Sequence, residues 1–272
     1  MGKDNVSEEQ EFSFWEHLEA LRWTIVRVLA AVFVAFLVVF VEYKVVFSQF
    51  LLSPLDSDFI TYRALKSLLT LVGLSASLIP DFKIQLINYE LSGQFMLQIG
   101  ASAMVAIVAV FPYILFEFWK FIRPALYENE SKSVGRIFFF SSFLFYLGSA
   151  VSYFVIFPLT IRFLGTYQVS ELVPNQISIQ SYFNALVILV LCLGITFEMP
   201  ILSYFLSKIG VISRSMLAAG RKYAFVIILI VSAVITPTTD PFTLMVVAIP
   251  LYALYEVSIW VCKRNEEQKQ KE

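Results

Sequence analysis

Among the carboxylates of this 272-residue chain, two sets are each suited to a different chemistry. One stands alone. Glu198, in Phe197-Glu198-Met199-Pro200, has apolar sequence on both sides, and an ionisable group inside a bilayer is costly enough to mark a functional position by default. Pro200 cannot donate a backbone hydrogen bond and clashes with the preceding turn, so the helix should kink there and free carbonyls beside the carboxyl. The spacing predicts a polar spot within the membrane. Its carboxyl would line a wet concavity or hydrogen-bond a neighbouring helix.

The second set gathers at one face. Glu16 and Glu19 lie in Phe14-Trp15-Glu16-His17-Leu18-Glu19-Ala20-Leu21-Arg22, just before an apolar run, and Glu117, Glu128 and Glu130 lie in a loop with Phe118, Trp119, Phe121 and Tyr127. Carboxylates beside aromatic rings suit a guanidinium, which pairs in a fork with two oxygens and lies flat on a ring. The other reading is a solvated loop with interfacial aromatic anchors. His17, the only histidine, reads as a packing or capping residue. His-Glu-x-x-His, Gly-x-Ser-x-Gly, a Walker loop and a pair of intramembrane aspartates are all missing from the sequence, which argues against an enzyme. Cys192 and Cys262 are too few and too far apart to make a metal site. They read as buried or lipid-facing thiols, and no cofactor is implied.

Membrane helices must position these groups. The chain is 58% apolar and 15% charged, whereas a soluble domain is roughly half apolar and about a quarter charged. A net charge of −1 excludes nucleic acid, whose binding needs a concentrated basic footprint. A bilayer core of about 30 Å takes about 20 helical residues, and spans are predicted at about 23–43, 95–116, 137–157, 181–206, 223–236 and 242–261, all in one membrane domain over 1–272. The third is bracketed by Arg136 and Pro158, the fifth is short, and Arg27 in the first is near enough its start to snorkel toward water. With the N-terminus in the cytoplasm, all but five of the 20 Lys and Arg (Lys44, Arg63, Lys66, Lys83, Arg162) lie on the cytoplasmic side, so both termini are expected there. The long outer loop, 44–94, contains an apolar stretch from Ser67 to Pro80. It is too short for a span and is predicted as a surface amphipathic helix with Leu65, Leu68, Leu69 and Val72 on one face.

From Phe14 to Tyr255 the chain resembles the TatC family, the multi-span core of the twin-arginine protein translocase. Separated motifs in order carry the likeness: His17-Leu18-Glu19-Ala20-Leu21-Arg22, Ser53-Pro54-Leu55, Phe121-Ile122-Arg123-Pro124-Ala125-Leu126-Tyr127 with Glu130, Phe145-Tyr146-Leu147-Gly148, Tyr153-Phe154-Val155-Ile156-Phe157-Pro158, Phe197-Glu198-Met199-Pro200, Arg221-Lys222-Tyr223, Ile235-Thr236-Pro237 with Asp240, and Ala248-Ile249-Pro250-Leu251-Tyr252. The resemblance implies an all-α integral membrane protein of the bacterial inner membrane, its six transmembrane helices forming a concave, glove-like wall. It implies recognition of twin-arginine signal peptides and export of folded precursors on the proton gradient. Expected partners are single-span TatA-type and TatB-type proteins, membrane lipids and further copies of the chain in a larger complex. Glu130, Phe121 and Arg22 match the signal-binding positions, Glu198 the intramembrane carboxylate, and Pro54 and Asp240 residues of the outer loops.

Two departures stand out. The family motif usually reads His-Leu-x-Glu-Leu-Arg, with its carboxylate where this chain has Ala20. Glu19 is one residue earlier, about 100° around a helix, so either Glu19 reaches the site from another angle or Glu130 carries more of the pairing. In the sixth span, Leu244 stands where many members have Gln. The competing class is a proton-coupled small-solute carrier centred on Glu198, which would need a second intramembrane polar group and a broken helix pair.

Overall fold

Lipid offers no partner for a bare N–H or C=O, so long apolar runs become helices. The computed structural model describes residues 14–75, 80–82, 84–122, 134–170, 172, 175–236 and 240–269. The first helix, α1 (Phe14–Val41), is followed by a four-residue helix α2 (Tyr43–Val46), a π turn (Phe47–Leu51), a 3-10 turn (Ser53–Leu55) and α3 (Ile60–Leu71). Then come β1 (Leu86–Ile87), α4 (Gly93–Ile122) and α5 (Val134–Val151), which runs through a π turn (Ser152–Ile156) into α6 (Phe157–Thr166). After β2 (Ile177–Ser178), α7 (Ile179–Thr196) and α8 (Met199–Lys208) are separated by a two-residue break, and α9 (Arg214–Ala219), α10 (Arg221–Ile235) and α11 (Pro241–Lys269) complete the chain.

Among the described residues, five helical stretches are long and apolar enough to cross a membrane: His17–Val41, Gly93–Phe121, Phe138–Thr166, Ile179–Lys208 and Pro241–Cys262. The sixth apolar helix, α10, has only 15 residues, matching the short fifth run in the sequence. The core centres on α7, whose Leu186, Leu189 and Leu193 are fully buried. At the edge, α1 packs chiefly on α4.

Pro158 does not end the third helix. The chain continues to Thr166 because the proline sits in the first turn of α6, after the π turn. A proline leaves the carbonyl four residues before it without an intrahelical donor. Here that carbonyl belongs to Phe154, and the Thr61 hydroxyl of α3 donates to it. Next to it, the Tyr62 hydroxyl lies 2.8 Å from the Pro158 carbonyl and 3.2 Å from that of Pro54. The 44–94 loop therefore plugs the proline break.

The rest of this end of the molecule is tied down in the same way. Tyr153 donates to the Phe50 carbonyl at 2.5 Å and Tyr182 to that of Leu51 at 2.7 Å. The Arg162 guanidinium lies over the Tyr62 and Phe82 rings at 5.7 and 5.5 Å. Burial pushes the Tyr62 phenol above its ordinary range while Arg162 pulls the other way, and the Lys66 ammonium, 2.7 Å from Asp81, holds that carboxyl below its usual range. Among the described residues the expected all-α fold gains one exception: Leu86–Ile87 pairs in parallel with Ile177–Ser178, fastening the 44–94 loop to the segment before α7.

The amphipathic helix of this loop starts earlier than predicted, at Ile60. Its inner face is Tyr62, Leu65 and Leu69, whereas Leu68 and Val72 are exposed. Contact with Pro54 and Pro158, not the apolar run alone, fixes which face turns inward. Tyr62→Phe removes the hydroxyl and leaves buried carbonyls unpaired, a loss of about 1–3 kcal/mol. Thermal unfolding of the detergent-solubilised protein should show it as a lowered midpoint with the helix content unchanged.

Candidate functional site

Five residues of α1, His17, Ala20, Trp23, Thr24 and Arg27, share one stripe by their spacing of three and four. With Lys120 and Phe121 at the end of α4 they line a cleft of about 330 Å³. His17 and Phe121 close it as a stacked pair, ring centroids 4.3 Å apart and planes 28° from parallel. The histidine is a packing residue, as its position in the sequence implied.

Below the cleft lies an ion pair. Arg27 donates from Nε to Glu117 Oε2 at 2.9 Å, and its Nη2 is 2.8 Å from the same oxygen. Nη2 also reaches the Thr24 hydroxyl at 3.2 Å, and Tyr113 donates to Glu117 Oε1 at 3.1 Å. This corrects two expectations. Glu117 is not a loop carboxylate but a buried group of α4, 3% exposed, because the helix runs on to Ile122 and turns this position toward α1. Arg27 does not simply snorkel to water: its side chain stays 40% exposed, but its Nε and Nη2 are held by a carboxylate on the facing helix. The signal was present in the sequence: Arg27 is the basic residue inside the first span, and Tyr113 and Glu117 are four apart on one helix face.

The predicted binding residues separate. Phe121 is at the cleft. Ala20 lines it, while Glu19 and Arg22 are exposed on other faces of α1. Glu130, with the whole stretch 123–133, lies outside the described residues.

Glu198 occupies the break between α7 and α8, 7% exposed, with Pro200 in the first turn of α8, where its missing N–H costs little. The Ser141 hydroxyl of α5 donates to Oε2. Oε1 is buried and without a partner among the described residues. Two glycines permit this contact. A Cβ on Gly148 of α5 would meet the Phe197 Cγ at 2.6 Å, and one on Gly194 of α7 would meet the Ser149 Oγ at 2.6 Å and the Phe145 ring at 2.7 Å. Two other helical carboxylates are engaged. Glu117 pairs with Arg27, and Glu256 of α11 takes a two-pronged bond from Arg221 at 2.8 and 2.9 Å.

The helical order and these sites agree with a match of residues 16–250 to the family model for the Sec-independent protein translocase protein TatC. The chain belongs to the TatC family. A TatC protein of Blattabacterium from Periplaneta americana is 37% identical over 257 residues, spanning 94% of this chain and 96% of that protein. The TatC protein of Aquifex aeolicus is 37% identical over 188 residues, 69% of this chain and 78% of that one. A crystal structure of the twin-arginine translocase receptor TatC superposes with a TM-score of 0.73 at 32% identity, covering 92% of this chain and all of that one.

Pro54 and Asp240, expected at family positions, each secure a turn. Pro54 is buried in the 3-10 turn with its carbonyl facing Tyr62. Asp240 Oδ1 accepts the Thr243 N–H at 2.7 Å, the bond of a capping residue at the start of α11. Cys262 is buried with Sγ 3.5 Å from the Ser203 carbonyl, and Cys192 is half-buried; neither is in a disulfide. Among the described residues no three His, Cys, Asp or Glu side chains cluster as a metal site would require.

Proposed function

We propose that this chain is the signal-peptide receptor of a twin-arginine translocase. In this reading six helices cross the bacterial inner membrane as a concave wall with both termini in the cytoplasm, as the distribution of Lys and Arg favours. Folded precursors leave on the proton gradient with TatA-type and TatB-type single-span partners, in a complex holding further copies of the chain. The observation that carries this reading is the cleft between α1 and α4. It holds Phe121 beside the loop that bears Glu130, and it belongs to a chain matched to TatC over most of its length.

Glu130 pairs the two guanidinium groups, with Glu19 approaching from the exposed side of α1 and Arg22 orienting the helix. Glu198 is the intramembrane polar position, and Pro54 and Asp240 hold the outer turns. A small-solute carrier has less support, since among the described residues Glu117 of α4 and Glu256 of α11 are paired with arginines and do not supply the second free polar group that a carrier centred on Glu198 would need.

Hydrogen bonds to charged groups contribute about 1.5–3 kcal/mol, so Glu130→Ala should weaken binding of a twin-arginine peptide by roughly 10- to 100-fold. Replacing the peptide's arginines by lysines should act in the same direction. Photocrosslinking from position 130 to a twin-arginine precursor tests the placement directly. An alanine variant that keeps full signal-peptide contact would remove Glu130 from the site.

A further inference from the structure

The cleft between α1 and α4 carries the wrong charge for its proposed guest. Its ionisable lining is His17, Arg27 and Lys120, and among the described residues it contains no carboxylate. Glu117 cannot serve, because one oxygen is taken by Arg27 and the other by Tyr113. Ala20 projects into the cleft at the position where the family motif places its carboxylate, and Glu19 is not among the lining residues. Among the described residues, two guanidinium groups approaching this mouth would meet Arg27 and Lys120, and Glu130, outside them, would be the one carboxylate proposed to pair with them.

The same lining is well suited to an anion at a membrane surface. Lys120 is exposed and brings three donors. Arg27 binds Glu117 and Thr24 through Nε and Nη2, and Nη1 takes part in neither contact. Trp23, half exposed on the same stripe, is a side chain enriched where headgroups meet the apolar core. The cleft lies at the end of the apolar stretches His17–Val41 and Gly93–Phe121, the level of lipid phosphates. On the proposed topology this is the cytoplasmic leaflet, where anionic lipids concentrate.

We infer that the cleft holds the phosphate of an anionic membrane lipid, and that this phosphate supplies the negative charge that Ala20 withholds from the arginine-binding mouth. The second half rests on the receptor reading above. The first half does not.

The test uses the full-length chain in nanodiscs of phosphatidylglycerol or of phosphatidylcholine. Lipid carried through detergent extraction is counted by native mass spectrometry, and twin-arginine peptide affinity is measured in both bilayers. The natural chain should retain phosphatidylglycerol and not phosphatidylcholine. Lys120→Gln should lower that retention roughly five- to tenfold. Ala20→Glu, which puts a carboxylate where the phosphate sits, should abolish it. Peptide affinity of the natural chain should fall roughly tenfold in phosphatidylcholine, whereas the Ala20→Glu protein should bind equally in both.

Equal retention of the two lipids, or retention unchanged by both substitutions, overturns the lipid site. Displacement of the lipid by millimolar inorganic phosphate overturns its assignment to a headgroup. Peptide binding by the natural chain that ignores lipid charge overturns the second half. Absence of peptide binding in every bilayer, with lipid retention following the expected pattern, overturns the receptor reading and leaves the lipid site standing.

Discussion

Arg27→Met should destabilise the protein by about 3 kcal/mol, and Arg27→Met with Glu117→Leu should recover most of the loss. The asymmetry is the point. Removing the arginine leaves a carboxylate 4% exposed on its side chain with the Tyr113 hydroxyl as its remaining hydrogen bond and the Lys120 charge farther off, and a poorly compensated charge at that depth is worse than no charge. Removing both partners leaves two apolar side chains in an apolar surrounding. The figure stays at the low end of the range for buried pairs because the Arg27 side chain is 40% exposed. Glu117→Leu alone should cost less, since the guanidinium can turn toward water. Because α1 packs chiefly on α4, the defect should appear first as loosening of that pair. Engineered cysteines across the α1–α4 contact, away from the cleft, would crosslink more slowly in the single arginine variant and at the normal rate in the double one. A double variant as unstable as Arg27→Met would show that the two groups are not coupled.

That ion pair also shows where the sequence was legible and where it was not. The helices could be read because an apolar run in lipid has one way to satisfy its backbone. The break at Glu198 could be read because Pro200 acts locally, through its own ring and missing N–H. The paired state of Glu117 could not, because its partner is 90 residues away and a carboxylate among Phe116, Phe118 and Trp119 has the composition of an interfacial loop. Pro158 misled for the same reason. A proline's local effect is to stop a helix, and what lets the chain continue is a hydroxyl 93 residues distant. The parallel pairing of β1 with β2 spans a similar separation and is too short to leave a pattern. At the cleft, helical geometry alone decided the outcome. Residues 17, 20, 24 and 27 define the stripe, and Glu19 is off it by one position. The one-residue departure from the family motif is therefore a change of face.

Gly148→Leu should lower the unfolding midpoint sharply and abolish export, and Phe197→Ala should partly rescue it. The site has no room. A Cβ at 148 already falls 2.6 to 2.8 Å from Phe197 Cγ, Cβ and Cδ2, atoms near the backbone that cannot swing aside as a side-chain tip can. Overpacking typically costs about 1–3 kcal/mol, occasionally more, and here the displaced residue directly precedes Glu198. Pushing α5 away from the end of α7 draws the Ser141 hydroxyl off the Glu198 carboxyl, whose second oxygen already has no partner among the described residues. Stability and the intramembrane site should therefore fail together. Trimming Phe197 restores the space at 148, and the rescued protein should regain both its melting midpoint and the α5–α7 spacing seen by crosslinking. Gly194→Leu makes the mirror-image clash, against Phe145 and Ser149, and Phe197→Ala should leave it uncorrected because that ring is not in its way. Rescue of both glycine variants by the same trimming would mean that the helices separate as a unit, and that the two close approaches are not independent supports of Glu198.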